Sequence, residues 1–275
     1  MPSLISVIIP VYNHAHTLER SLLSITAQTL QPLEVIIVND GSTDNFNEVI
    51  KSTLEKVRGL NTKVIQQTNQ GAGAARNHGF RESKGDYVIF WDADTVAEPT
   101  MLEDMQRALT QHPEASYAYS QFKFGWKTMK SQEFNSSDLQ RYNYIDTPSL
   151  IRLEALQTPP LAPPLIEEGT FNDGDFVAPV SSPYKGEDRG GGFVAGPFDE
   201  SLRRFQDWDL WLTLLEEGKT GVFVPKVLYK KIVRGRKGYS FWLPGFMYHL
   251  PWKIKTIRAY EEAKRIIVQK HSLTE

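Results

Sequence analysis

The first half of the chain alternates, and this alternation limits its fold more than any other feature. Short continuous apolar runs are each followed by apolar residues at helical spacing. Ser6-Val7-Ile8-Ile9 precedes Leu18, Leu22 and Ile25, and Val35-Ile36-Ile37-Val38 precedes Phe46, Val49, Ile50 and Leu54. Lys63 to Gln66 reads as a third strand, Ala74 to Glu82 as a helix, and Tyr87 to Trp91 as a fourth strand. Apolar runs without polar alternation suit strands buried on both faces. The pattern therefore predicts βαβ units and an α/β fold: a mainly parallel sheet with helices on both faces. Ligands of such sheets bind outside the C-terminal strand ends.

Polar residues collect at those predicted ends. Pro10-Val11-Tyr12-Asn13 follows strand one, Asn39-Asp40-Gly41-Ser42-Thr43-Asp44 strand two, and Asp92-Ala93-Asp94 strand four. If the fourth strand continues, Asp92 and Asp94 leave the same face and aim two carboxylates at one point. Such a pair suits Mg²⁺ or Mn²⁺, since Mg²⁺ is commonly held by one or two carboxylates plus substrate phosphates and water. The competing assignment makes either aspartate a cap for a helix announced by Glu98-Pro99.

At 275 residues with net charge −2, the chain can bury a sizeable core and has no general attraction for nucleic acid. It contains no cysteine, which excludes disulfides, thiolate nucleophiles and Cys-ligated zinc. Leu4 to Val11 lacks a basic leader and is too short to span a bilayer, so it reads as a strand rather than a signal peptide. The expectation is a cytoplasmic protein with at most peripheral contact at the inner face of the membrane.

The pattern changes after about residue 115. Ala115 to Phe124 reads as a strand and Ser149 to Leu156 as a short helical or extended segment. Residues 157–192 are rich in Pro and Gly, without a periodic apolar face, and read as a low-complexity insertion. Beyond it, Asp207 to Glu217 has a helical apolar face, Val222-Phe223-Val224 and Val227-Leu228-Tyr229 read as closing strands, and Ile254 to Lys270 as a terminal helix. Lys230, Lys231, Arg234, Arg236 and Lys237 form a basic stretch, either a solvated loop or a closure over a diphosphate. Phe241 to Lys253 mixes aromatics with lysines, a composition of tail packing or of a membrane interface. The predicted division is 1–230 for the main domain, containing the insertion, and 231–275 for a basic loop and helical tail.

Five segments in order, VIIPVYN at 7–13, VNDGSTD at 38–44, NQGAGAARNHG at 69–79, GDYVIFWDAD at 85–94 and GPFDESLRRFQDWDLWL at 196–212, resemble family 2 glycosyltransferases of the GT-A fold. The resemblance implies an inverting, non-processive transfer of a sugar from a nucleotide diphosphate sugar, UDP- or dTDP-linked, to a hydroxyl of a saccharide or lipid-linked acceptor. It implies Mg²⁺ or Mn²⁺ as cofactor and no nucleic-acid partner. By that resemblance Pro10, Tyr12 and Asn13 contact the nucleotide and Asp40 accepts from the imide N–H of the base. Ser42 to Asp44 serve as a helix cap, and Arg76 offers its guanidinium to pyrophosphate or base. Asp94 is the first metal ligand, with Asp92 on the ribose or the metal's outer shell and Ala93 leaving room between them. Gln206-Asp207-Trp208-Asp209 stands where the family usually has Glu-Asp before a helix. Asp207 is then the catalytic base for the acceptor hydroxyl, and Asp209 a first-turn carboxylate favoured by the helix dipole. A sugar nucleotidyltransferase and a catalytically impaired binding relative are the alternatives.

Overall fold

The protein is described here from a computed structural model, over residues 4–157, 196–232 and 255–273. In chain order the elements are β1 (Ile5–Val11), α1 (Ala15–Thr26), β2 (Glu34–Asp40), α2 (Phe46–Lys56), β3 (Thr62–Gln67), α3 (Ala72–Arg81), β4 (Tyr87–Phe90), β5 (Thr95–Ala97), α4 (Met101–Gln111), β6 (Tyr117–Phe124), β7 (Lys127–Met129), α5 (Ser136–Arg141), β8 (Leu150–Arg152), α6 (Gln206–Glu216), β9 (Gly221–Lys231) and α7 (Lys255–Lys270). The strands form one sheet in the order β3-β2-β1-β4-β8-β6-β9-β5, with β7 paired to β6. β3, β2, β1 and β4 are parallel, as the alternation predicts, and β6 is parallel to β9; β8, β5 and β7 run antiparallel to their neighbours.

The period-two geometry of the strands sorts the core onto the two faces of the sheet. Val7, Ile9, Ile89 and Trp91 pack with Leu18, Leu22 and Ile25 of α1, Phe46 and Ile50 of α2, and Met101, Met105 and Leu109 of α4. On the other face Ile8, Val88 and Phe90 pack with Phe80 of α3, Leu139 of α5, Trp208, Trp211 and Leu212 of α6, and Ile267 of α7. Complete burial on both faces explains why these strands read as continuous apolar runs.

Several boundaries differ from the sequence reading for local reasons. The two predicted closing strands are a single β9, whose pairing with β6 shifts register around Gln121, so Pro225 and Lys226 are absorbed as an irregularity rather than a turn. Ser149 to Leu156 contains both forms expected of it, β8 and then a 3-10 turn over Leu153–Leu156. Most of 157–192, together with Arg234, Arg236, Lys237 and Phe241 to Lys253, lies outside the described residues. No helix among the described residues is long and apolar enough to cross a membrane.

Candidate functional site

The sheet order reverses beside β1, with β2 and β3 on one side and β4 on the other, and a switch point of this kind opens a crevice at the C-terminal strand ends. Pro10 marks the parting. It has no N–H to donate and lies beyond the last β1–β4 rung, Ile8 opposite Phe90. Asn13, at φ 56°, accepts from the Thr43 and Asp44 amides through Oδ1 at 2.7 and 3.1 Å, and its own N–H donates to Ser42 Oγ at 3.1 Å. The loops after β1 and β2 are thereby laced together, leaving Tyr12 46% exposed at the rim. Asp44 accepts from the Ala15 amide at 3.0 Å and so serves the start of α1. The expected cap on the following helix is absent, since Asn45, the residue that precedes α2, makes no side-chain cap bond.

Asp40 is buried and already engaged. Its Oδ1 accepts from Gln67 Nε2 and the Gln70 amide at 2.8 Å each, and its Oδ2 from the Gly71 amide at 2.9 Å. It therefore shapes the entry to α3. His78 continues the chain of bonds, its Nδ1 lying 2.8 Å from Gln67 Oε1.

Trp91 is fully buried, with its indole N–H donating to Ser21 Oγ at 3.0 Å, so the chain is locked immediately before Asp92. Strand pairing has ended by then. Residues 92 to 95 form a turn closed by the Thr95 N–H on the Asp92 carbonyl at 2.9 Å, so the two carboxylates do not share a strand face. Nor do they cap a helix, since β5 intervenes and α4 starts from Thr100.

The turn gives each aspartate different company. Asp92 accepts from Arg76 Nη2 on Oδ1 and from Lys231 Nζ on Oδ2, both at 2.9 Å. Burial opposes its charge, but these two cations hold its carboxyl well below the usual range. Asp94 receives no side-chain donor from the described residues. Burial, then repulsion by Asp92, partly offset by Lys231, pushes its pKa up to about 6.

Two further elements complete the cluster. Lys231 ends β9 and bridges Asp92 to Asp146, whose Oδ2 it meets at 2.7 Å and which also accepts from the Tyr229 hydroxyl at 2.8 Å. Burial disfavours the ammonium, but Asp146, Asp92 and Asp94 outweigh it and raise its pKa. Lys231 is thus an internal ion-pair partner, not part of a solvated loop. Arg76, 8% exposed, turns inward: Nη1 donates to Gln206 Oε1 at 2.9 Å, tying Asp92 to the first turn of α6. Gly73 permits this approach, since a Cβ there would stand 2.8 Å from Gln206 Nε2. Asp207 follows Gln206, with Oδ2 accepting from Asn143 Nδ2 at 2.8 Å. Burial, then the charge of Asp146, pushes its pKa up to about 6.

Residues 6–159 match the family described as Glycosyl transferase family 2. The chain belongs to family 2 of the glycosyltransferases. It is 46% identical over 99 residues to a glycosyltransferase of Nostoc sp., covering 36% of this chain and 30% of that protein. It is 39% identical over 99 residues to the cholesterol galactosyltransferase of Borreliella burgdorferi, covering 36% of this chain and 27% of that one. The chain thus spans under a third of the length of these relatives. Among solved structures, S. aureus TarS in complex with UDP superposes with TM-score 0.61 at 18% identity, covering 97% of this chain and 65% of that one. A Pyrobaculum calidifontis mannosyltransferase in complex with GDP-Man and Mn²⁺ gives 0.57 at 17%, covering 86% and 59%. The architecture is that of the GT-A glycosyltransferases.

Within this family 2 domain the sequence motifs supply Arg76, Asp92, Asp94 and Asp207, but Asn143 and Asp146 come from a segment with no motif. They sit on the loop between α5 and β8, held by Trp211 Nε1 on the Ile145 carbonyl at 3.0 Å and by Ser149 Oγ on the Asp146 carbonyl at 2.8 Å. Their only signal in the sequence is a pair of polar residues shortly before Pro148. Asp209, expected to answer the helix dipole, does sit in the first turn of α6, but buried, accepting from His271 Nε2 at 2.9 Å and Lys270 Nζ at 3.0 Å.

Proposed function

We propose that this domain is an inverting, non-processive glycosyltransferase that moves a sugar from a UDP- or dTDP-linked donor to a hydroxyl of a saccharide or lipid-linked acceptor. The observation that carries the reading is the unequal treatment of three aspartates around one cation pair. Asp92 is neutralised by Arg76 and Lys231, while Asp94 and Asp207 have no cationic partner among the described residues and are poised near pH 6.

Asp94 fits a divalent metal. Its carboxylate accepts no side-chain donor from the described residues, unlike those of Asp92 and Asp207, so one carboxylate is left to offer an ion. That donor set matches an ion whose shell is completed by substrate phosphates and water. A cation held there would supply positive charge to the departing nucleoside diphosphate. Asp92 keeps Arg76 and Lys231 close by, and Asp40 holds the Gln70–Gly71 turn while retaining an acceptor site on Oδ2 for an imide N–H. Pro10, Tyr12 and Asn13 form the rim against which the nucleotide lies.

Asp207 is the base. As the acceptor oxygen bonds to the anomeric carbon and the bond to the diphosphate breaks, the hydroxyl proton passes to the Asp207 carboxylate. A single displacement inverts the anomeric centre.

Calorimetry of UDP with and without Mn²⁺, followed by nucleotide release from a panel of sugar donors, tests the reading on wild type and Asp94→Ala. The expected result is metal-dependent UDP binding and donor turnover in wild type, both reduced at least tenfold in the variant. Equal turnover by the two proteins, or UDP binding indifferent to metal in both, removes Asp94 from this role.

A further inference from the structure

The β6–β7 hairpin presents a side chain that the fold does not use. Trp126 is 95% exposed, against at most 47% for any other large apolar side chain exposed among the described residues. It occupies a two-residue turn between Phe124 and Lys127, in which Gly125 at φ 60° supplies the positive angle a type II′ turn requires. The other turn position tolerates a small polar residue, so the indole is not there for the backbone. Lys123, Lys127 and Lys130 are exposed around it. Lys123 and Lys130 have no acidic partner among the described residues.

The hairpin grows directly from the rim of the site. In the β6–β9 ladder Phe124 lies opposite Lys231, the lysine that holds Asp92 and Asp146, so Gly125 and Trp126 project just past that rung. One strand turn inward, Phe122 stacks on Tyr229 at 5.2 Å and lies 5.4 Å from Lys231 Nζ. The tip is therefore rigidly joined to the cluster.

We propose that this hairpin tip docks in the headgroup region of an anionic bilayer, with Trp126 at the interface and Lys123, Lys127 and Lys130 against acidic lipid, setting the mouth of the site at the membrane surface. An aromatic ring with a polar N–H, flanked by lysines that bury their aliphatic stems in the acyl region while the ammonium stays at the headgroups, is the side-chain chemistry of a bilayer interface. Charge complementarity selects an acidic surface, and it is local to the tip because the chain as a whole carries −2. A soluble saccharide platform fits less well: binding pockets enclose most of their ligand, and a ring this open has no opposing wall. The purpose of the docking rests on the transferase reading, but the docking itself does not.

The full chain is tested, without donor, by co-sedimentation with vesicles of phosphatidylcholine alone and with phosphatidylglycerol added. Binding is expected only to the acidic vesicles, weakening with salt. Each lysine replaced by serine lowers it about fivefold at low ionic strength, and Trp126→Ser also lowers it several-fold while leaving donor hydrolysis without vesicles unchanged. Brominated lipid should quench a tryptophan signal in wild type, and that quenching should vanish in Trp126→Phe although this variant still binds. The proposal is overturned by equal binding to both vesicle types, by no binding to either, or by quenching that survives in Trp126→Phe. It is equally overturned if Trp126→Ser raises the KM of a soluble acceptor when no vesicles are present. The sedimentation and quenching outcomes do not depend on whether the domain transfers sugar, so they can fail or succeed separately from that reading.

Discussion

The two aspartates poised near pH 6 make opposite demands on activity and stability. A carboxyl whose folded pKa is raised binds its proton more tightly in the folded chain, so ionising it costs stability. For Asp207 that cost is absent below about pH 4, grows as pH rises toward about 6, and is complete above it. Asp207→Asn should therefore stabilise the protein by about 1–3 kcal/mol at pH 7, read by urea denaturation. It should also lower transfer about 10²-fold or more and remove the rise in kcat through about pH 6. A stable variant that keeps the wild-type pH profile would show that the base lies elsewhere. Asp92 has the reverse character. Its charge is matched on both oxygens, so Asp92→Asn removes the carboxylate partner of Arg76 and leaves Lys231 with Asp146 alone among the described residues, and should cost about 2–4 kcal/mol in the same measurement. Asp92 and Asp94 were visible in the sequence as a pair, but not their division of labour. That division depends on Arg76 and Lys231, 16 and 139 residues away from Asp92 in the chain, which no spacing rule connects.

At the scale of elements, the latch between α6 and α7 is a second buried charge cluster, distinct from the site. His271 places Nε2 2.9 Å from Asp209 and Nδ1 2.8 Å from Glu216, so both ring nitrogens face carboxylates and the ring is held as the imidazolium. Lys270 reinforces it from the same end of α7, reaching Asp209 and Asp199. Burial opposes the His271 charge, but the bonds to Asp209 and Glu216 outweigh it and raise the pKa. This contribution is fully present below about pH 6.5, the unfolded value, and is lost as pH rises through the elevated folded value. His271→Gln should cost about 1–2 kcal/mol at pH 6 and progressively less above it, with hydrogen exchange localising the change to α7. A cost that does not change with pH would mean the ring acts by packing alone. The sequence exposed α7 through its period and α6 through its apolar face. The docking of one on the other was hidden, because an aspartate in a first helical turn looks the same whether it answers a dipole or a buried histidine.

For the molecule as a whole, the order of the chain raises a question of assembly, because the site is built from both sides of residues 158–195. Arg76, Asp92, Asp94, Asn143 and Asp146 precede that segment; Gln206, Asp207, Tyr229 and Lys231 follow it. What joins the two parts is packing among described residues. Leu156 before the segment and Phe198 after it belong to one apolar cluster, Phe198 meets Phe90 edge-on at 4.7 Å, and Asn77 of α3 donates to the Phe198 carbonyl at 2.8 Å and accepts from the Phe198 amide at 3.0 Å. β9 then inserts between β6 and β5, so the second part completes the sheet of the first. These contacts among the described residues register the halves, and loop-closure entropy changes only slowly with loop length. Replacing 158–195 by a flexible Gly/Ser linker of about fifteen residues, with a mean span near 20 Å, should leave one cooperative unfolding transition. The midpoint should move by no more than about 1 kcal/mol in stability, and metal-dependent UDP binding should persist. Two separate transitions, or loss of UDP binding from a folded protein, would show instead that the segment itself carries part of the site. The family match covers residues 6–159, so Gln206, Asp207 and Lys231 reach the site through packing onto that part, and its registry is set by Asn77, Phe90 and β9.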